Sequence, residues 1–185
     1  MKSTRYYFSV YDLIIIAIMS GIGIAIKPVV STLARIVTVA IPIPGGSLAG
    51  GLYMMWLVLA FAITRKYGTA TLVGVIQAIV VIITGIPGSH GIMSLFSYIS
   101  PGLVVDIFLL ILLLGFKREF DRLASFFSGV LANMTGTLAV NVIFFHLPTF
   151  FLILTLCVAA LSGGIGGIIA WELYKILKKN KLVNR

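Results

Sequence analysis

Apolar residues in this chain come in long runs with neither a polar stripe nor strict alternation. Six runs stand out, at about 11–30, 48–64, 69–86, 101–116, 123–145 and 149–177. Breakers separate them. Lys27-Pro28 closes the first, Arg65-Lys66 the second and Pro87-Gly88 the third; Lys117 to Arg122 form a charged loop, and His146-Leu147-Pro148 a tight turn. A bilayer-crossing helix needs about 20 mainly apolar residues. Backbone in hydrocarbon must satisfy its own hydrogen bonds, so unbroken runs of this kind predict helices, not the alternating strands of a barrel. The pattern therefore predicts an all-α, polytopic membrane protein with six transmembrane helices, forming one domain over 1–185 with no internal repeat. The stretch 31–47 holds the turn-rich Pro42-Ile43-Pro44-Gly45-Gly46 but is partly apolar, which suits a structured loop or half-helix. The stretches 89–100 and 146–148 are the other two loops on the same side.

Composition narrows this further. Hydrophobic residues make up 60% of the chain and charged ones 10%, against about 25% charged in a soluble domain. Six crossings leave no room for a separate catalytic domain. The net charge of +9 in a soluble protein would suggest nucleic acid. Here the basic residues flank apolar runs as anchors do, so no nucleic-acid partner is expected. Of 14 Lys and Arg, only Lys27 and Arg35 fall on the side of the 31–47 loop. Cytoplasmic loops carry the excess of positive charge, which places both termini in the cytoplasm of a multi-pass plasma-membrane protein. Lys2 and Arg5 ahead of an apolar run mimic a signal peptide, but no small-residue cleavage pattern precedes Lys27; the run is read as an uncleaved first span, with Lys27 snorkelling to the interface. The one cysteine, Cys157, can form no internal disulfide and is read as a buried, inert thiol.

Three features are candidates for function. Ala17, Gly21 and Ala25 recur every four residues on one face of the first span. Small residues let helices approach closely in lipid, so this face is either an internal seam or a docking face for a membrane partner. Gly163 and Gly167 form a similar pair in the last span, read as an internal seam. Asp106 is the acidic residue deep in a span. Such a group is costly in the membrane and faces a cavity, a partner or hydrogen-bond donors; it either contacts a cationic ligand or accepts from neighbouring helices. Glu172 lies near the cytoplasmic end of the last span, close to Lys175. Finally, polar and aromatic residues gather in the outer half: Tyr53, Trp56, Gln77, His90, Tyr98, Asn133 and Asn141, with Ser89, Ser94, Phe96, Ser97 and His146 nearby. Each alone is an ordinary interface or helix-bridging residue; together they line a pocket suited to a flat, partly polar heterocycle. No phosphate-binding loop, zinc-protease motif or metal-ligand spacing occurs, so no catalytic residue, cofactor or metal is expected and the chain is read as no enzyme.

Several stretches resemble the substrate-binding S components of energy-coupling factor (ECF) vitamin transporters. They are the six-span plan in 185 residues, the Ala17-x-x-x-Gly21-x-x-x-Ala25 face where that family shows A-x-x-x-A, the Gly-rich entry from Gly45 to Trp56, and Arg65-Lys66-Tyr67-Gly68-Thr69-Ala70. The last is similar to the R-K-P-G-A-A segment of the thiamine/hydroxymethylpyrimidine branch. Tyr67 replaces that branch's proline, Gln77 and Val80 stand near expected glutamates, and Asp106 stands where that branch has a glutamate. The resemblance implies high-affinity capture of a small vitamin or precursor from outside, with the first outer loop as lid. It implies docking on an ECF transmembrane scaffold driven by two cytoplasmic ATPases, through Ala17, Gly21 and Ala25. The branch implies thiamine or its pyrimidine moiety, and Asp106 points within that scheme to a cationic ligand such as thiamine. The alternative is a stand-alone secondary transporter or small channel, which calls for coupling residues and inverted repeats.

Overall fold

The structure, a computed structural model, describes residues 8–38, 44–85 and 91–183, the side chains of Arg35 and Val37 excepted. Among these residues every regular element is helical. In chain order they are α1 (Val10–Ala25), α2 (Lys27–Thr38), α3 (Gly45–Thr64), α4 (Thr69–Thr84), α5 (Ser94–Leu110), α6 (Arg122–Val140) and α7 (Thr149–Lys179). A single 3-10 turn, Gly91–Met93, leads into α5; π-helical turns, Ile111–Gly115 and Asn141–Phe145, extend α5 and α6.

Local chemistry sets the helix ends. At the start of α1 the Ser9 hydroxyl accepts from the Asp12 N–H, and the Asp12 carboxylate accepts from the Ser9 N–H at 2.8 Å. This reciprocal box satisfies two donors that a first turn leaves open. Lys27 and Pro28 begin α2 after a one-residue break at Ile26; proline is tolerated in a first turn, where its missing N–H costs nothing. Part of the 31–47 loop is thus a half-helix. Arg65 ends α3 in the left-handed conformation (φ 55°) and its N–H donates to the Phe61 carbonyl. Gly68 (φ 86°) then starts α4, at a backbone angle that glycine adopts at little cost. One element differs from the sequence reading. Helix α5 begins at Ser94 and carries Pro101 inside it, so 94–100 is helix and not loop. Proline is tolerated within a membrane helix when neighbours satisfy the freed carbonyl, and here it breaks nothing.

Helix α3 is the centre of the bundle. Every residue from Leu57 to Thr64 is buried, and α3 packs on α1, α2, α4, α6 and α7. The other helices keep outward apolar side chains, such as Leu13, Ile14, Ile83, Ile107, Ile153 and Leu161. Such an apolar exterior needs lipid as solvent. Five helical stretches are long and apolar enough to cross a membrane, and Thr69–Thr84 is a shorter apolar helix. The protein is an all-α, polytopic membrane protein.

Glycines bring α3, α6 and α7 together. A Cβ at Gly163 would run into the Gly129 carbonyl, one at Gly166 into that of Gly51, and one at Gly167 into that of Ser125. Across the same surfaces Ser125 donates to the Gly167 carbonyl at 2.7 Å, and the Gly51 N–H donates to the Ser162 hydroxyl at 3.1 Å. The Gly163–Gly167 pair is therefore an internal seam. The α1 face is different. Ala17, Gly21 and Ala25 are all exposed, and a Cβ on Gly21 would meet nothing within 4 Å. Cys157 is also exposed, which corrects its reading as a buried thiol: it sits on the outward side of α7.

Candidate functional site

A cavity of about 290 Å³ opens where α1 and α6 end and where α3, α5 and α7 begin. The chain order of the helices dictates this place. With successive spans antiparallel, those ends all fall on the side that holds few basic residues. The opposite end carries Arg65, Lys66, Arg122, Lys178 and Lys179.

The cavity wall contains most of the outer polar set. Tyr53, Gln77, Tyr98, Asn133 and Asn141 line it, along with Lys27, Ser31, Ser97 and Thr155. Their roles divide by hydrogen bonding. Asn133 is buried on α6, and its side-chain nitrogen donates to the carbonyls of Ser47 (3.0 Å) and Ala159 (2.8 Å). Its amide ties α3 and α7 together beneath the cavity. The Asn141 side-chain oxygen accepts from the Leu147 N–H at 3.0 Å and closes the turn after α6. In each, one end of the amide is engaged by the fold: the nitrogen of Asn133 and the oxygen of Asn141. Gln77, at 6% exposure on α4, makes no hydrogen bond among the described residues and lies against Gly23, where any side chain would collide with its amide.

Two hydroxyls in the wall are orphaned. Tyr98 Oη and Thr155 Oγ1 are buried without a hydrogen-bond partner among the described residues. An unsatisfied buried polar atom costs about 1–3 kcal/mol, which a ligand atom in the cavity would recover. Lys27 supplies the positive charge. Its ammonium stands 4.2 Å from the centroid of the Tyr98 ring and 6.0 Å from that of Tyr53, within range of a cation–π attraction. Its ion pairs with carboxylates are nil among the described residues.

Two sequence candidates, Asp106 and Trp56, fall elsewhere. Asp106 does not reach the cavity. Its carboxylate accepts from the Thr71 N–H (2.8 Å), the Thr71 hydroxyl (2.6 Å) and the Ala70 N–H (3.4 Å). It thereby caps the first turn of α4 from α5, where a negative charge satisfies open donors and complements the helix dipole. This corrects its placement as a ligand contact: a nearby helix start claims the carboxylate first. Trp56 packs beside Gly23 but is not in the wall; its indole N–H is buried without a partner among the described residues. His90 lies outside the described residues.

Lys27, Ser31 and Thr155 are cavity residues that the sequence reading did not select, whereas Ser97 belonged to its outer polar set. Lys27 carried a signal: it is a lone lysine at an apolar run's end, on the side otherwise nearly free of positive charge. Thr155 carried none, because one threonine in an apolar helix looks the same facing a cavity or a neighbouring helix.

Two further acidic residues are paired away from the cavity. Asp12, fully buried, pairs with Lys66 at 2.6 Å. Glu172 pairs with Lys175 at 2.9 Å and lies 3.8 Å from Arg122. Among the described residues no group of three or more His, Cys, Asp or Glu is placed to hold a metal ion.

Comparison with known proteins adds two findings. A family model described as "ABC-type cobalt transport system, permease component" matches residues 11–135. A solved structure described as "Crystal structure of an S-component of ECF transporter" superposes with a TM-score of 0.73. It is 18% identical, and the match covers 94% of this chain and 85% of that one; at this identity the likeness is one of fold. No curated protein matches.

Proposed function

Since the chain belongs to the family of ABC-type cobalt transport system permease components, we propose that it is the substrate-binding (S) subunit of an ECF-type ABC transporter. Family and fold are those of a transport component, not of an enzyme, and the protein is a multi-pass protein of the plasma membrane. The observation that carries the proposal is the cavity itself. It lies at the end with few basic residues, the outer end by the charge asymmetry. Its aromatic walls, unpartnered hydroxyls and free Gln77 amide suit a small, flat, partly polar molecule. In this scheme both termini are cytoplasmic and the chain forms one transmembrane domain. Tyr53, Gln77 and Tyr98 are the binding residues retained from the sequence, with Asn133 and Asn141 holding the wall. The 31–47 segment is the lid.

Uptake would then need partners: an ECF transmembrane scaffold and two cytoplasmic ATPases. The exposed Ala17–Gly21–Ala25 face supports a docking role, because it leaves room for a second helix at close range.

Among vitamins, thiamine or its pyrimidine moiety is the candidate that the sequence resemblance implies. Of the two, the pyrimidine moiety opposes the charge of Lys27 less. A thiamine cation would meet Lys27, and none of the five acidic residues lines the wall. The family description names cobalt, but the described residues offer no metal-ligand group, which favours an organic ligand here.

The test separates binding from transport. The purified chain alone should retain a small molecule, whereas uptake by cells should require scaffold and ATPases and stop when an ATPase active site is inactivated. Uptake that persists with the ATPases inactive would make the chain a stand-alone transporter.

A further inference from the structure

Lys27 is the one feature of the cavity that neither a neutral heterocycle nor packing explains. Its ammonium lies between the walls formed by Tyr53 and Tyr98, yet a lysine whose only task is anchoring extends toward the interface and water. Around it, the same cavity gathers further donors. Pro44, Gly45, Gly46 and Ser47, the start of α3, line it. Pro44 offers that helix no side-chain cap, so the positive end of the α3 dipole faces the cavity. Thr155, fully buried and unpartnered, lines it as well, and so does the unpartnered hydroxyl of Tyr98. Nothing in the wall answers this positive potential. Asp12 and Glu172 are paired with lysines elsewhere, Asp106 caps α4, and Glu119 and Asp121 belong to the loop before α6.

We propose that the captured ligand carries an acidic group, a carboxylate or phosphate oxyanion, bound to Lys27, with the first turn of α3 and the hydroxyls of Tyr98 and Thr155 as supporting donors. This deepens the transport reading and rests on it. The aromatic rings of Tyr53 and Tyr98 hold the flat part of the ligand, and Lys27 selects for charge. An oxyanion supplies the carboxylate that the wall lacks, so the half-buried ammonium gains its ion pair only when ligand is bound. Charge-assisted bonds of this kind discriminate strongly against neutral isosteres, since these leave the ammonium unpaired.

Ligand identity provides the test. The full chain is purified in detergent from cells grown in rich medium, and the small molecules it retains are extracted and identified by mass spectrometry. An acidic heterocycle is expected. Its affinity is then compared with that of its primary amide on the wild type, Lys27→Met and Thr155→Val, each checked for folding by size exclusion and thermal melting. The amide should bind the wild type more weakly by about tenfold or more, and Lys27→Met should weaken the acid by a similar factor. Thr155→Val should cost a few-fold. Recovery of a neutral or cationic ligand, the pyrimidine moiety or thiamine included, overturns this inference and leaves capture and transport standing. An acid that binds folded Lys27→Met as tightly as the wild type also overturns it. A wild-type protein that retains nothing overturns the capture reading, and the inference with it.

Discussion

Asp106 and Lys27 exchange the roles that their types suggest. Reading along the chain, the buried acid looks like the ligand contact and the lysine like an anchor. In the structure the acid caps α4 through Thr71 and Ala70, while the lysine reaches the cavity. Asp106→Asn should therefore destabilise the protein by roughly 1–3 kcal/mol, since an amide satisfies the α4 donors less well than a carboxylate. Ligand affinity should stay within about twofold, the scale of an indirect effect (0.4 kcal/mol or less). Thermal unfolding in detergent and a binding isotherm on the same preparation check both halves. A loss of affinity without a loss of stability would return Asp106 to the binding site.

At the scale of elements, two small-residue patterns that look alike in sequence separate. The Gly163–Gly167 stripe of α7 touches the backbones of α3 and α6, whereas the Ala17–Gly21–Ala25 stripe of α1 is exposed, with open space beside Gly21 among the described residues. Gly163→Leu should thus prevent folding or cost well over the ~1–3 kcal/mol of ordinary overpacking, because the obstacle is backbone and does not yield. Gly21→Leu should melt within a degree or two of the wild type, as expected of a surface change worth ~0.5 kcal/mol or less. It should still bind ligand, and it should abolish uptake in cells that contain the scaffold and ATPases. Melting curves of the two variants, set beside ligand binding and uptake for Gly21→Leu, test the pair. Normal uptake by Gly21→Leu would remove α1 from the docking surface. The run start at 101 shows where a local pattern misleads. Proline marks a probable helix boundary, but Pro101 sits within α5, since packing against neighbours in lipid overrides the local preference.

For the whole molecule, orientation is the property that links cavity to function. If the cavity faces outward, Ile92, exposed in the turn before α5, lies outside, and Arg118, in the loop between α5 and α6, lies inside. In a Cys157→Ser background, a membrane-impermeant maleimide applied to intact cells should label Ile92→Cys and spare Arg118→Cys until the membrane is permeabilised. The reverse pattern would turn the cavity to the cytoplasm and end the case for capture from outside.

Class and topology were legible along the chain because they depend on local sums. Runs of apolar residues long enough for a bilayer demand helices, and the uneven spread of lysine and arginine implies a direction. The outer polar set was legible for a similar reason: Tyr53, Gln77, Tyr98, Asn133 and Asn141 lie between mid-span and the outer end of their helices, and such residues face one another when the helices bundle. Tertiary packing alone decided which of their atoms are free. Whether an asparagine binds a ligand or a carbonyl of Ser47 depends on how closely helices distant in sequence approach, and here glycines such as Gly50 and Gly163 set that distance. The same holds for charge. An aspartate and a lysine in apolar surroundings each take the nearest partner that the fold brings within about 3–4 Å. For Asp106 that partner is the start of α4, and for Lys27 it is the space left between two tyrosines.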